Sequence, residues 1–272
     1  MNKKILFLDL DGTLLNDQKE ITAGNQEALH NALRNGHRVV IATGRPLISA
    51  IAQAKRLGIA EKGCYVIAYN GGVVYDLFNK TPLFEHSLPL PTAKKVLAMC
   101  DQIGVYVQAY DETCVLVEPK NENENLYRYC RIIGMEYQVV KDLQTGLTRN
   151  TPKLLAIDFE NRQPLLQLEE WISSQLNEEA DCFFSNPHFL EIVPKGMNKG
   201  NAIRRVCHIL GIEIADAIAC GDAANDLAML SAAGIGVAMA NATDEVKKVA
   251  DYITLRDNNH DGIAEVVELF CK

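Results

Sequence analysis

Four unbroken apolar runs decide what kind of sheet this chain can build. They are Ile5-Leu6-Phe7-Leu8, the segment from His37 to Ala42 that turns apolar at Val39, Tyr65-Val66-Ile67-Ala68-Tyr69, and Ala217-Ile218-Ala219-Cys220. A strand with one wet face alternates polar and apolar residues, so a run without alternation is covered on both faces, as in a parallel sheet flanked by helices. Helical periodicity fills the gaps between the runs. Thr22 is placed to cap a first helix with Ala28, Leu29, Ala32 and Leu33 on one face and Gly36 at its end. A second helix starts at Pro46, presents Ile48, Ile51, Ala52 and Leu57, and stops at Gly58. The pattern resumes late, with helices over 203–210, 227–232, 244–250 and 262–270 and strands over 217–220, 236–239 and 252–255.

Between these halves the grain changes. After Pro89 and Pro91, a helix over 92–103 leads into strands at 105–110 and 114–117, which form a hairpin about Asp111-Glu112. Helices over 123–133 and 164–176 then alternate with strands at 137–140, 154–159, 182–185 and 189–193. The expected organisation is an α/β core of residues 1–86 and 193–272 interrupted by an α+β domain of residues 87–192.

Composition excludes several classes of partner. Lys plus Arg number 27 and Asp plus Glu 35, a formal charge of −8 with no basic block, which argues against nucleic acid. The apolar start is cut short by Asp9, and no later run approaches membrane-spanning length, so neither a secretion signal nor a membrane partner is expected and the protein reads as cytoplasmic. Eight scattered cysteines without a Cys-x-x-Cys pair read as reduced thiols. No sequence signal bears on oligomeric state.

Polar signatures stand just past the four apolar runs: Asp9 and Asp11 after the first, Thr43-Gly44-Arg45 after the second, Asn70-Gly71-Gly72 after the third, and Gly221-Asp222-Ala223-Ala224-Asn225-Asp226 after the fourth. Each alone also suits a turn or a helix cap. Asp9-Leu10-Asp11-Gly12 could begin a calcium loop, but Leu14 and Leu15 occupy positions where such a loop needs oxygen ligands. In open parallel sheets the crevice beyond the carboxyl ends of the strands binds ligands, so four signatures in register are expected to converge on one site.

Asp9-Leu10-Asp11-Gly12-Thr13, Thr43-Gly44-Arg45, Lys199 and Gly221-Asp222-x-x-Asn225-Asp226, in this order, resemble the four motifs of the haloacid dehalogenase-like phosphatase superfamily. The insertion between the second and third motifs resembles the C2-type cap of its Cof-like sugar-phosphatase branch. The resemblance implies a Rossmann-like open parallel sheet with an inserted α+β cap domain. It implies a Mg²⁺-dependent phosphatase hydrolysing small phosphorylated metabolites, sugar phosphates or phosphorylated cofactors, through an aspartyl-phosphate.

In that scheme Asp9 is the nucleophile, and Asp11 is the general acid and base, with a raised pKa. Mg²⁺ takes the Asp9 carboxylate, the Asp11 carbonyl and Asp222, while Asp226 orients metal waters or Lys199 from behind. Leu10, Thr43, Gly44, Lys199 and Asn225 hold phosphoryl oxygens. Arg45 has no fixed role in the scheme and is expected on the substrate side. A sugar phosphomutase and a phosphometabolite-binding protein without turnover are the alternative functions.

Overall fold

The apolar runs are the inner strands of one sheet. The computed structural model describes residues 3–271, apart from the side chain of Asn186. The first stretch contains β1 (Ile5–Leu8), α1 (Ala23–Arg34), β2 (Arg38–Ala42), α2 (Leu47–Arg56), β3 (Cys64–Ala68), β4 (Val73–Asp76) and β5 (Thr81–Glu85). The insertion holds α3 (Leu90–Ile103), β6 (Tyr106–Tyr110), β7 (Cys114–Val117), α4 (Glu124–Ile133), β8 (Glu136–Val139), α5 (Leu143–Gly146), β9 (Leu154–Ile157), α6 (Gln163–Gln175), β10 (Ala180–Asn186) and β11 (Phe189–Pro194). The chain then forms α7 (Lys199–Leu210), β12 (Ala217–Gly221), α8 (Leu227–Ala232), β13 (Ile235–Ala238), α9 (Asp244–Val249), β14 (Tyr252–Ile253) and α10 (Gly262–Phe270).

Residues up to Glu85 and from Asn198 onward form one unit, and His86–Met197 forms the other. The first unit is built on a sheet of order β14-β13-β12-β1-β2-β3-β4-β5. From β14 to β3 the neighbours are parallel, and β4 and β5 are antiparallel. Leu8 lies beside both Cys220 and Ile41, so β12, β1 and β2 end at one level and deliver their polar signatures to one edge.

Three local expectations change. The β4–β5 hairpin has no counterpart in the sequence reading, because its edge strand is half-exposed and carries Pro82, which removes a donor where no neighbour needs one. The face of α2 is also different: Ile48 is 43% exposed and Ala52 is exposed, whereas Ser49, Ala50 and Ala54 are buried. Small side chains let this helix lie close to the sheet, and of the residues expected on its inner face only Leu57, just past its end, is fully buried. Thr22 makes no side-chain capping bond to α1, which is anchored instead by buried Asn25 accepting the Ala264 amide at 2.8 Å.

The second unit is a sheet of order β10-β11-β9-β6-β7-β8, antiparallel except between β7 and β8. Its apolar core includes Val96, Leu97, Leu165, Leu168 and Ile172 of α3 and α6 with Val107, Ala109, Leu154 and Ile192 of the strands. This unit reaches Met197, beyond the residue 192 expected from sequence. β11 pairs as far as Pro194, and Asp181 then accepts from the Gly196 amide at 2.7 Å and from Lys195 at 2.8 Å. Among the described residues no helix is long and apolar enough to cross a membrane.

Candidate active site

Asp9 is the first residue beyond β1, and its amide prolongs the ladder by donating to the Cys220 carbonyl at 3.1 Å. The chain then turns at Gly12, where φ is +85°, and closes on itself as the Leu14 and Leu15 amides donate to the Asp9 and Leu10 carbonyls at 3.2 and 2.8 Å. A β-carbon at Gly12 would strike the Asp222 carboxylate, so both backbone angle and space require glycine. Thr13 spans the same gap, its hydroxyl donating to Asp222 Oδ1 at 2.9 Å.

Beyond β12, Asp226 organises its own loop. Its Oδ2 accepts from the amides of Asp222 at 3.0 Å and Ala223 at 3.2 Å, while its Oδ1 accepts from Lys199 Nζ at 2.6 Å. Lys199 opens α7, which Asn198 caps through the Asn201 amide at 2.8 Å. A cation in the first turn opposes the helix dipole, so this ammonium needs carboxylates to hold it. It has two, since Nζ also donates to Asp9 Oδ1 at 2.5 Å, and it is only 1% exposed. Burial works against its charge, and Asp226 and Asp9 more than restore it.

A carboxylate oxygen from each of Asp9, Asp222 and Asp226 lies within 4.8 Å of the others. Both oxygens of Asp226 are engaged, whereas among the described residues no donor reaches the second oxygen of Asp9 or of Asp222. Burial, together with the neighbouring carboxylates Asp226 and Asp222, pushes the Asp9 carboxyl up to about 8 against the pull of Lys199. Asp222 is pushed up to about 6 by burial and Asp226, with Thr13 and Lys199 opposing. Three carboxylates that share one ammonium, with free hard oxygen donors on two of them, suit a small divalent cation.

Asp11 departs from expectation. Arg45 grips it through Nε at 2.9 Å and Nη2 at 2.8 Å, and Lys19 adds a third bond at 2.9 Å. Burial raises the carboxyl, but the bonds and charges of Arg45 and Lys19 hold it below its ordinary value, so the raised pKa expected for a proton carrier is absent from this arrangement. Arg45, expected on the substrate side, is occupied by Asp11. Lys19 gave no signal in the sequence: it reaches Asp11 from a loop where its own φ is +62° and its carbonyl receives the Arg56 guanidinium.

The β2 and β3 signatures interlock. Thr43, 2% exposed, accepts the Arg45 amide on its hydroxyl and the Asn70 amide on its carbonyl, both at 3.1 Å. Gly44 leaves room for the Asn70 carboxamide, whose atoms would lie 3.0 Å from a β-carbon there. Tyr69 and Asn70 both take left-handed angles, a local strain of the kind that collects at functional sites. Leu10 is fully buried, which leaves only its backbone to meet an anion, and Asn225 is half-buried in the single turn Ala224–Asp226.

The Asp9 shift yields a stability prediction. A carboxyl raised in the folded chain contributes stability present in full below about 4, its unfolded range. That contribution is lost as pH rises through about 8. Metal-free Asp9→Asn, which cannot ionise, is therefore expected to be more stable than metal-free wild type at pH 8, with the gap closing toward pH 4. Urea midpoints at both pH values check this, and an equal gap at each would refute it.

Comparison with known proteins agrees with this geometry. The family model for haloacid dehalogenase-like hydrolases matches residues 6–267. The chain is 32% identical to YxeH of Bacillus subtilis (strain 168), over 97% of each chain. It is 30% identical to the 5-amino-6-(5-phospho-D-ribitylamino)uracil phosphatase YcsE of the same organism, over 97% of this chain and 94% of that one. The crystal structure of a haloacid dehalogenase-like hydrolase from Bacteroides thetaiotaomicron superposes with a TM-score of 0.88 at 32% identity, covering 98% of this chain and 99% of that one. With its motif residues gathered at one sheet edge and the family model spanning nearly its whole length, the chain belongs to the haloacid dehalogenase-like hydrolases and is an enzyme of their phosphatase kind.

Proposed function

We propose that this chain hydrolyses phosphate monoesters of small metabolites in the cytoplasm, with Mg²⁺, by way of a phosphorylated Asp9. The observation that carries the proposal is a buried carboxylate cluster in which Asp9 and Asp222 each keep one oxygen free while Lys199 holds Asp9 in place. Mg²⁺ bound by Asp9, the Asp11 carbonyl and Asp222 would supply the positive charge that keeps Asp9 ionised and lets a phosphate dianion approach four carboxylates.

In the first step an Asp9 oxygen attacks phosphorus, the bond from phosphorus to the ester oxygen breaks, and that oxygen takes a proton from Asp11. Water then attacks the phosphorylated Asp9 and gives its proton to Asp11, releasing inorganic phosphate and restoring Asp9. The ionised Asp11 held by Arg45 and Lys19 suits the second step, and the first requires those partners to release it. Lys199, Thr43, the Leu10 and Gly44 amides and Asn225 supply donors for the phosphoryl oxygens. The unit His86–Met197 serves as the cap that selects the leaving group.

Phosphate release from a panel of phosphorylated metabolites tests the reading. Activity is expected to vanish on exhaustive chelation, to return with Mg²⁺ and to be poor with Ca²⁺, whose longer and more numerous bonds spoil octahedral alignment. Full activity after chelation would remove the metal role of Asp222. Phosphoryl transfer to a second sugar hydroxyl without phosphate release would identify a mutase instead.

A further inference from the structure

Along β6, Val107 and Ala109 enter the core beneath α3 and α6, so Tyr106, Gln108 and Tyr110 face the opposite side of the sheet. On that side lies a cavity of about 140 Å³ whose walls include Tyr106, Gln108, Asn121, Tyr129, Phe159 and Phe189, with no Lys, Arg, Asp or Glu among them. Most of the walls are fixed by one another. The Tyr106 hydroxyl donates to Gln108 Oε1 at 2.7 Å, Gln108 Nε2 donates to the Tyr110 hydroxyl at 2.6 Å, and the Tyr110 and Tyr129 hydroxyls share a bond of 2.5 Å. Phe189 meets Tyr129 and Phe159 edge to face, at 6.2 and 5.7 Å between ring centres.

Asn121 stands apart from this network, and Phe159 joins it through ring contacts alone. Asn121 is 8% exposed, yet among the described residues its carboxamide has no hydrogen-bond partner, although its backbone amide is tied to the Glu118 carbonyl at 2.9 Å. Phe159 is 47% exposed, a large aromatic face left open to water on a cavity wall. The Asn121 carboxamide is thus open toward the cavity, with a donor and an acceptor that no group among the described residues occupies.

We propose that this cavity binds one neutral six-membered heteroaromatic ring, packed among Tyr106, Phe159 and Phe189, with its polar edge hydrogen-bonded to Asn121. Size supports a single ring, because an apolar protein cavity of about 150 Å³ accommodates one benzene. Charge excludes phosphate, carboxylate and ammonium groups, none of which would meet a counter-charge on these walls. A flat aromatic ring is favoured over a saturated polyhydroxylated one, since Tyr106, Tyr129, Phe159 and Phe189 offer ring faces and edges on which only the former stacks. A carboxamide offers a donor and an acceptor side by side, which matches the edge of a cyclic amide or an aminopyrimidine. The inference stands on the inserted unit alone and does not require the phosphatase reading.

Saturation-transfer NMR titrations of the full chain with uracil, 4-aminopyrimidine and myo-inositol test it without any phosphate group. The aromatic probes are expected to bind at least about fivefold more tightly than inositol, and both Asn121→Ala and Phe159→Ala to weaken them by about fivefold or more. Phe78→Ala, another exposed aromatic on the turn between β4 and β5, is expected to leave binding unchanged. Phe159 is half-exposed, so its truncation decides the matter even if Asn121→Ala does not fold. Inositol binding as tightly as the aromatic probes, no aromatic binding, or wild-type affinity in folded Phe159→Ala would overturn the proposal.

Discussion

Asp9→Asn is expected to lower kcat by about 10^4-fold or more, the scale on which loss of an attacking group acts in enzymes whose residues work as a unit. Asparagine keeps the shape of the side chain, and its amide oxygen can still accept from Lys199, so the fold and the donors around the phosphoryl group persist. What disappears is the nucleophile and one charge toward the cation. Steady-state kinetics should therefore show the loss in kcat with KM changed by no more than about fivefold, since ground-state binding is left nearly intact. Acid-quenched enzyme incubated with labelled substrate should carry label in the wild type and none in the variant. A variant retaining more than a few per cent of wild-type kcat would remove Asp9 from the role of nucleophile.

The strands and the position of the site were legible because their causes are local. An unbroken apolar run has few places to lie other than the middle of a covered sheet, and β1, β2, β3 and β12 are adjacent there. Their polar continuations consequently share an edge. The α2 face was misread because Ser49, Ala50 and Ala54 pack by being small, a property that hydrophobic periodicity does not weigh.

The clamp on Asp11 was illegible for another reason. Arg45, 34 residues from Asp11, meets the carboxylate only after β1 and β2 have paired, while Lys19, in the same loop as Asp11, stands in no motif, so nothing in their spacing announces the clamp. The same distance in sequence hides the free Asn121 carboxamide, whose isolation emerges only once its neighbours have paired with one another. Lys199 was nominated by family resemblance, and its physical reason is the burial of Asp9 and Asp226 beside it.

That burial makes the metal-free fold depend on Lys199. Its side chain and that of Asp226 are fully buried, and a buried pair is far more costly to break than it was favourable to form, because the survivor keeps its charge without a partner. Lys199→Met in metal-free buffer is expected to lose about 3–5 kcal/mol of unfolding free energy. The urea midpoint should fall while the slope stays constant, as for a change in stability without a change in buried surface.

Asp226→Asn in the Lys199→Met background should recover part of that loss, since the amide oxygen can still accept from the Asp222 and Ala223 amides while the stranded charge is gone. The two changes would then be strongly non-additive. Strict additivity, or a Lys199→Met midpoint equal to wild type, would mean that solvent rather than Lys199 compensates Asp226. The same finding would leave the free oxygens of Asp9 and Asp222 without the positive neighbour that now holds the cluster together.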